Sequence, residues 1–106
     1  MKYTDELVEF IIMLKLDGIE MNSGNIVKLL RYDAKITDNY CEWEIKDCEI
    51  RNYGICEPYP PMNFKEYIPH FVDAMCWAIS GESEENTNKI LKDFLKLKLT
   101  YKKNCC

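Results

Sequence analysis

The feature that most constrains this 106-residue sequence is a nearly continuous apolar run in its second half. The run 71–79 contains one polar residue, Asp73, and is followed by Gly81, a residue type that often ends helices. A helix that is apolar nearly all round is buried on most sides, and a membrane span would need about 20 such residues. We therefore predict a buried central helix over 69–80, with Pro69 in its first turn.

Two amphipathic helices are predicted before this run. Thr4 can cap a helix over 5–17, and either Asn22 or Ser23 can cap one over 24–33. The spacing i, i+3, i+4, i+7 predicts the core-facing stripe of the first helix. That stripe is Leu7, Phe10, Ile11 and Leu14, and Val8 and Ile12 widen it. Because the connection between the two helices is short, we expect them to pack on each other.

A last helix is predicted after Ser83, which can cap it. Its apolar residues Ile90, Phe94, Leu97 and Tyr101 recur at helical spacing, which carries the helical pattern as far as residue 101.

The stretch 40–56 is predicted to form a small antiparallel hairpin. Cys41, Trp43 and Ile45 alternate with charged residues, and the alternation changes phase half way along, which predicts a turn. A helix is the competing interpretation, because Cys41, Ile45 and Cys48 also fit helical spacing. We expect an α+β, mainly helical fold with about four helices around the buried central helix.

Composition indicates one globular domain over 1–106. The chain is 47% hydrophobic and 30% charged, which is ordinary for such a domain. The first six residues are polar and acidic, where a secretory signal would be basic and then apolar. We therefore expect a soluble, cytoplasmic protein that does not bind membranes. The residues 102–106 end in Cys-Cys after two lysines, as double prenylation signals do. No phosphate-binding loop of a small GTPase accompanies them, so we expect a frayed tail over 103–106.

Six cysteines suggest neither disulfides nor a metal site. Disulfides are expected in a secretory context, and here reduced thiols are expected. Zinc sites favour close cysteine pairs, whereas these spacings are C-x6-C and C-x7-C. The candidate ligands would be Cys41, Cys48 and Cys56 with His70 or Cys76. We predict no metal and no cofactor.

Catalytic patterns are equally weak. His70 is the one histidine, which leaves a single candidate for nucleophilic or acid–base catalysis. Glu42 and Glu44 would share one face of a strand, but an exposed hairpin would not desolvate either enough to make it an acid catalyst. The four isolated glycines build no phosphate cradle. We expect no enzyme.

Charge is unevenly distributed along the chain. The net charge is −4; residues 38–57 carry six acidic and two basic side chains, whereas residues 86–106 carry six basic and one acidic. An acidic protein repels phosphate backbones, and only two arginines are present for base or phosphate contacts, so nucleic acid is an unlikely partner. A solvated face that aids solubility is the alternative interpretation of the acidic charge.

Aromatic residues interleave with the acidic segment. Tyrosine and tryptophan are enriched at protein interfaces, although tyrosines also fill small cores. We predict a partner-binding face that would contact another protein with a basic surface. Its residues are Asp38, Tyr40, Glu42, Trp43, Glu44, Asp47, Glu49, Tyr53, Glu57 and Tyr59.

Size and charge favour a stoichiometric inhibitor of a basic, nucleic-acid-handling protein, of the immunity, antitoxin or phage anti-defence (anti-CRISPR-like) type. One alternative is a winged-helix-like DNA-binding regulator, which the order of two helices and a hairpin fits loosely. Another is a homo-oligomeric assembly component that buries the helix 69–80 between copies.

Overall fold

The computed structural model describes residues 3–38, 42–53 and 61–103, and within them the chain forms four helices and a three-stranded antiparallel sheet. The helices are α1 (Asp5–Leu16), α2 (Ser23–Thr37), α3 (Phe64–Ile79) and α4 (Glu84–Leu95). The strands are β1 (Glu42–Lys46), β2 (Glu49–Tyr53) and β3 (Met62–Asn63), in the order β1-β2-β3. This arrangement confirms the predicted mainly helical α+β fold.

Helix α1 begins as predicted and turns a different face to the core. The Thr4 hydroxyl accepts a hydrogen bond from the backbone N–H of Leu7 at 3.2 Å, and Gly18 takes a positive φ of 78° after the helix. The buried residues are Val8, Ile12 and Leu16. The core therefore takes Val8 and Ile12 from the edge of the predicted stripe, together with Leu16, rather than the centre of the stripe.

The predicted stripe of α1 lies largely outside the core. Phe10 is 60% exposed and Leu14 is 61% exposed, while Leu7 and Ile11 are half-buried. Both sides of this helix are apolar, so helical spacing alone does not decide which side is buried. Packing against α3 decides it.

Helix α2 extends four residues beyond its predicted end. Asn22 caps it, accepting a 2.8 Å hydrogen bond from the N–H of Asn25. Ile36 continues the apolar face, and the Thr37 hydroxyl donates to the Asp33 carbonyl at 2.7 Å. The helix ends at Thr37, and the capping residue Asp38 adopts a left-handed conformation with φ 54°.

The hairpin prediction is confirmed for β1 and β2, and residues 40, 41 and 54–56 of the predicted segment lie outside the described residues. Asp47 and Cys48 form its two-residue turn with φ 52° and 62°, as a type I′ turn requires. This turn explains the change of phase in the sequence. Trp43 and Ile45 pack on the core beside the buried Ile50.

Helix α3 begins at Phe64, five residues before the predicted start at 69. Asn63 and Glu66 form a reciprocal capping box: Asn63 accepts from the N–H of Glu66 at 2.8 Å, and Glu66 accepts from the N–H of Asn63 at 3.3 Å. Pro69 is consequently the sixth residue of the helix rather than part of its first turn.

Burial outweighs the proline in α3. Pro69 has no N–H for the carbonyl four residues earlier, which ordinarily weakens a helix. The turn before it, however, places Phe64, Tyr67 and Ile68 in the core, in line with the apolar residues that follow. The helix is amphipathic rather than buried on most sides, since Trp77 is 71% exposed and Asp73 lies in solvent.

Helix α4 is capped by Ser83 as predicted, with a 3.2 Å hydrogen bond from the N–H of Asn86. It ends at Leu95, six residues before the predicted stripe does. The residues after it reach the α1–α2 connection, where Tyr101 forms an isolated β-bridge with Ile19. The Glu20 N–H also donates a hydrogen bond to the Thr100 carbonyl at 2.9 Å.

Asn25 holds this contact together from inside the protein. Its side chain is 1% exposed, and its amide donates to the carbonyls of Glu20 at 2.7 Å and Thr100 at 2.8 Å. Its carbonyl oxygen accepts from the Thr100 N–H at 2.9 Å and from the Thr100 hydroxyl at 3.2 Å. All the hydrogen-bonding capacity of this buried amide is therefore used.

The core lies between the helices and the inner face of the sheet. Tyr32, Tyr67, Phe71 and Phe94 form its aromatic centre, with neighbouring ring centroids 5.7–6.4 Å apart. Among the described helices, none has the length and apolar character that a membrane crossing requires.

Candidate protein-binding surfaces

The outer face of the hairpin presents the acidic residues that the sequence singled out. Strand residues alternate between faces, and the inner positions of β1 are used by Trp43 and Ile45 against the core. The opposite positions therefore point outward, and the turn projects beyond them. The exposed carboxylates are Glu42, Glu44, Asp47 and Glu49.

Two cations on the same ribbon reduce its negative charge. The register places Arg51 opposite Glu44 and Lys46 opposite Glu49. Cross-strand neighbours of opposite charge attract each other at this range. Four carboxylates and two cations give the described hairpin a net charge of −2, and the excess lies at its turn and its open end.

The remaining predicted site residues have different positions. Trp43 is half-buried on the inner face, so it supports the hairpin from below. Asp38 is exposed at the end of α2, and the backbone of Tyr53 pairs with Glu42 in the sheet. The other three lie outside the described residues: Tyr40, Glu57 and Tyr59.

Two further tyrosines are core residues. The Tyr32 hydroxyl donates to the carbonyl of Ile90, and the Tyr67 hydroxyl donates to Asp33 Oδ2 at 2.9 Å. Burial, together with a nearby carboxylate in each case, holds the pKa of both phenols well above the usual value. Both phenols therefore stay protonated and serve packing.

Asp33, the one carboxylate of α2, has a perturbed pKa. Burial raises its pKa, and this rise is opposed by the Tyr67 hydrogen bond and the nearby His70. The group lies in the contact between α2 and α3 and is already hydrogen-bonded there. The Asp33 carboxylate therefore links the two helices and does not face an open cleft.

The cations of α2 are partly engaged within the chain. The Lys28 ammonium donates to the carbonyl of Lys98, and Lys35 lies 4.0 Å from the carboxylate of Asp93. A winged-helix-like regulator would need such groups for phosphate and base contacts. A shallow depression of about 400 Å³ follows the outer face of α4. It is lined by Glu85, Asn88, Lys89, Lys92, Asp93 and Lys96.

Exposed apolar residues on α1 form a second surface, which the sequence interpretation assigned to the core. Phe10, Met13 and Leu14 are about half exposed or more. The sequence feature that could have indicated this surface is the presence of two apolar stripes on one helix. When one of two such stripes packs against the core, the other stays exposed.

The described thiols show no metal site. In the ranges that the structure covers, no three histidine, cysteine or acidic side chains cluster closely enough to hold an ion. Cys48 is exposed in the hairpin turn, and Cys76 is half-buried beside the start of α1. The candidate ligands Cys41 and Cys56 lie outside the described residues.

Comparison with protein-family models, with curated protein sequences and with solved structures finds no match to this chain. Support for a function therefore comes from the chain's own residues and their geometry.

Proposed function

We propose that this chain is a small acidic protein-binding module that docks the outer face of its hairpin on a basic surface of another protein. By covering that surface it would act as a stoichiometric inhibitor of a nucleic-acid-handling protein, of the immunity, antitoxin or phage anti-defence type. The observation that supports the proposal is that the two faces of β1 have different environments. Trp43 and Ile45 anchor one face on the core, which leaves the charged face exposed.

Electrostatics gives this face a preference for basic partners. Complementary charge speeds the encounter of two proteins and suppresses wrong partners, more than it adds to affinity. Because the outer carboxylates are exposed, their attraction is screened by salt. A basic cleft that normally holds a phosphate backbone is the kind of surface that this arrangement fits.

The experiment has two stages. The protein is immobilised to capture partners from a lysate of the cells that express it, with and without nuclease and at high salt. We expect one identified protein, retained after nuclease treatment, whose nucleic-acid activity falls to zero at a 1:1 molar ratio. Its affinity is then measured for the wild type and for Glu42→Gln/Glu44→Gln/Glu49→Gln, which removes charge without creating repulsion across the strands.

The triple variant should weaken binding about tenfold, mainly through slower association. The control is Glu82→Gln/Glu84→Gln/Glu85→Gln, which removes three exposed carboxylates near the start of α4 and makes the same change in net charge. Equal affinity for the two triple variants would show that the hairpin face is not the docking site. Capture of nucleic acid that disappears with nuclease would favour the DNA-binding alternative, and a stable homo-oligomer with no foreign partner would favour an assembly component.

A further inference from the structure

Helix α1 carries two apolar faces, and the described fold uses one of them. Val8, Ile12 and Leu16 are in the core. Phe10 and Leu14 point away from it, with 60% and 61% of their surface exposed. Single exposed apolar residues are common on protein surfaces, whereas aligned ones indicate a contact site.

The outward residues have the spacing of a helix-packing surface. Leu7, Phe10 and Leu14 occur at i, i+3 and i+7, which places them along one side of the helix. Leu7 is half-buried, and Met13 widens the surface next to Phe10. We call these four residues the α1 outer stripe. Ridges of this kind interdigitate with the side chains of another helix.

Acidic residues border the α1 outer stripe. Glu6 precedes Phe10 by one turn, and Asp17 follows Met13 by one turn. Glu9, one turn before Met13, adds a third exposed carboxylate. Across the described ranges no ion pair to these three carboxylates is formed. Their charge is therefore available to a partner.

The one lysine of α1 does not neutralise this border. Lys15 donates to the carbonyls of Leu95 at 3.2 Å and Leu97 at 3.1 Å, which directs its ammonium toward the C-terminal end of α4. The same ammonium lies 6.0 Å from the centre of the Tyr101 ring. The surface around the stripe is thus apolar with a negative border.

This charge pattern distinguishes between two occupants. A second copy that paired α1 with α1 would place carboxylates against carboxylates, which costs free energy. A helix with lysines or arginines beside its apolar residues would instead gain attraction at each border. We propose that the α1 outer stripe is a docking site for a basic amphipathic helix of a partner protein. This surface is separate from the hairpin face.

The probe is a synthetic amphipathic peptide of about 18 residues, with leucines at i, i+3 and i+7 and lysines on the flanking positions. Binding to the full chain is measured by fluorescence anisotropy, against a peptide of the same design with glutamates in place of lysines. We expect the lysine peptide to bind at least tenfold more tightly, with an affinity that falls as salt increases.

Two variants locate the site. Phe10→Ser/Leu14→Ser should weaken binding of the lysine peptide at least tenfold, while Phe10→Leu/Leu14→Met, which keeps both positions apolar, should retain it. Glu6→Lys/Asp17→Lys should also weaken binding about tenfold, and it stays informative if the serine variant unfolds. Glu82→Lys/Glu85→Lys near the start of α4 is the control for an equal charge reversal elsewhere.

Several results would overturn the proposal. These are equal binding of the two peptides, retained binding by Glu6→Lys/Asp17→Lys, and self-association of the chain that Phe10→Ser/Leu14→Ser abolishes. The variant Glu42→Gln/Glu44→Gln/Glu49→Gln should bind the peptide like the wild type. Failure of the hairpin proposal therefore leaves this test unaffected, and the reverse also holds.

Discussion

Replacing Asn25 with alanine should destabilise the protein more than any exposed substitution of the same kind. The change removes the buried amide that joins the α1–α2 connection to residues 99–101. The carbonyls of Glu20 and Thr100 each keep one other partner, the N–H groups of Asn22 and Glu20 respectively. The Thr100 N–H loses the acceptor that it has in the structure.

The magnitude follows from this inventory. An orphaned, partly buried N–H costs about 1–3 kcal/mol, and each further lost hydrogen bond costs about 0.5–1.5 kcal/mol net. Removing the buried amide group also relieves part of its own desolvation cost. We therefore expect the free energy of unfolding to fall by about 3 kcal/mol, which lowers Tm by roughly 12–24 °C in a domain of this size.

The measurement is urea unfolding at pH 7, followed by far-UV circular dichroism. Asn25→Asp is a second variant of nearly the same shape: its carboxylate still accepts from the Thr100 N–H, but it faces two carbonyl oxygens that the amide had donated to. It should be at least as unstable as Asn25→Ala at pH 7 and should recover part of the loss at low pH, where the protonated carboxyl can donate. Asn86→Ala, which removes one exposed hydrogen bond to Glu82, is the control and should cost under about 0.5 kcal/mol. A loss below about 1 kcal/mol for Asn25→Ala would refute the reasoning.

Three further predictions concern the α2–α3 contact and the two described thiols. Burial raises the pKa of the Asp33 carboxyl above 3.8, so its contribution to stability is most favourable below that value and is lost as pH rises through the folded-state pKa. Asp33→Asn, which still accepts from Tyr67, should therefore be more stable than the wild type at pH 7, and urea titrations should show this advantage vanish toward pH 3. Asp47→Asn/Cys48→Gly supplies the residues that a type I′ turn prefers and should raise the unfolding free energy by roughly 0.5–1 kcal/mol; a loss of stability would contradict the turn assignment. Burial and three nearby carboxylates raise the pKa of the Cys76 thiol, so peptide mapping after brief alkylation at pH 7.5 should show Cys48 modified well before Cys76.

Local signals in the sequence predict the starts of α1, α2 and α4 in this protein. Thr4 and Ser83 are caps because a short polar side chain can reach a nearby N–H, and that contact needs no distant residue. The hairpin is equally local: a two-residue turn and alternating side chains define it. The mainly helical α+β class could therefore be derived from the sequence.

Tertiary contacts decided the features that the sequence analysis predicted wrongly. Pro69 argues against a helix on local grounds, yet the burial of Phe64 and Tyr67 in the preceding turn compensates for it. The end of α4 is set by pairing of residues 99–102 with the α1–α2 connection, a partner about 80 residues away in the chain. The buried face of α1 is chosen by α3, not by its own spacing.

The candidate hairpin site was also predictable only in part from the sequence. Alternation in the sequence predicts that Glu42 and Glu44 share a face, and the structure exposes both. The net charge of the segment does not show which charged residues lie opposite each other in the sheet. The register that places Arg51 across from Glu44 reduces the field of the face, so a salt-dependence measurement on the partner complex is more informative than the net charge.

The contact between residues 99–102 and the α1–α2 connection also determines how the protein opens. It consists of a single β-bridge, a few backbone hydrogen bonds, the Asn25 amide and the buried side chains of Ile19 and Leu99, beside the aromatic core. A unit of this size detaches at a lower free energy than global unfolding. We therefore expect the amide protons of Glu20 and Lys102 to exchange through this local opening, earlier than those in the buried middle of α3. Each opening would also break the hydrogen bonds of the Lys15 ammonium to the Leu97 carbonyl and of the Tyr101 hydroxyl to the Lys15 carbonyl, so we expect it to loosen the C-terminal turn of α1.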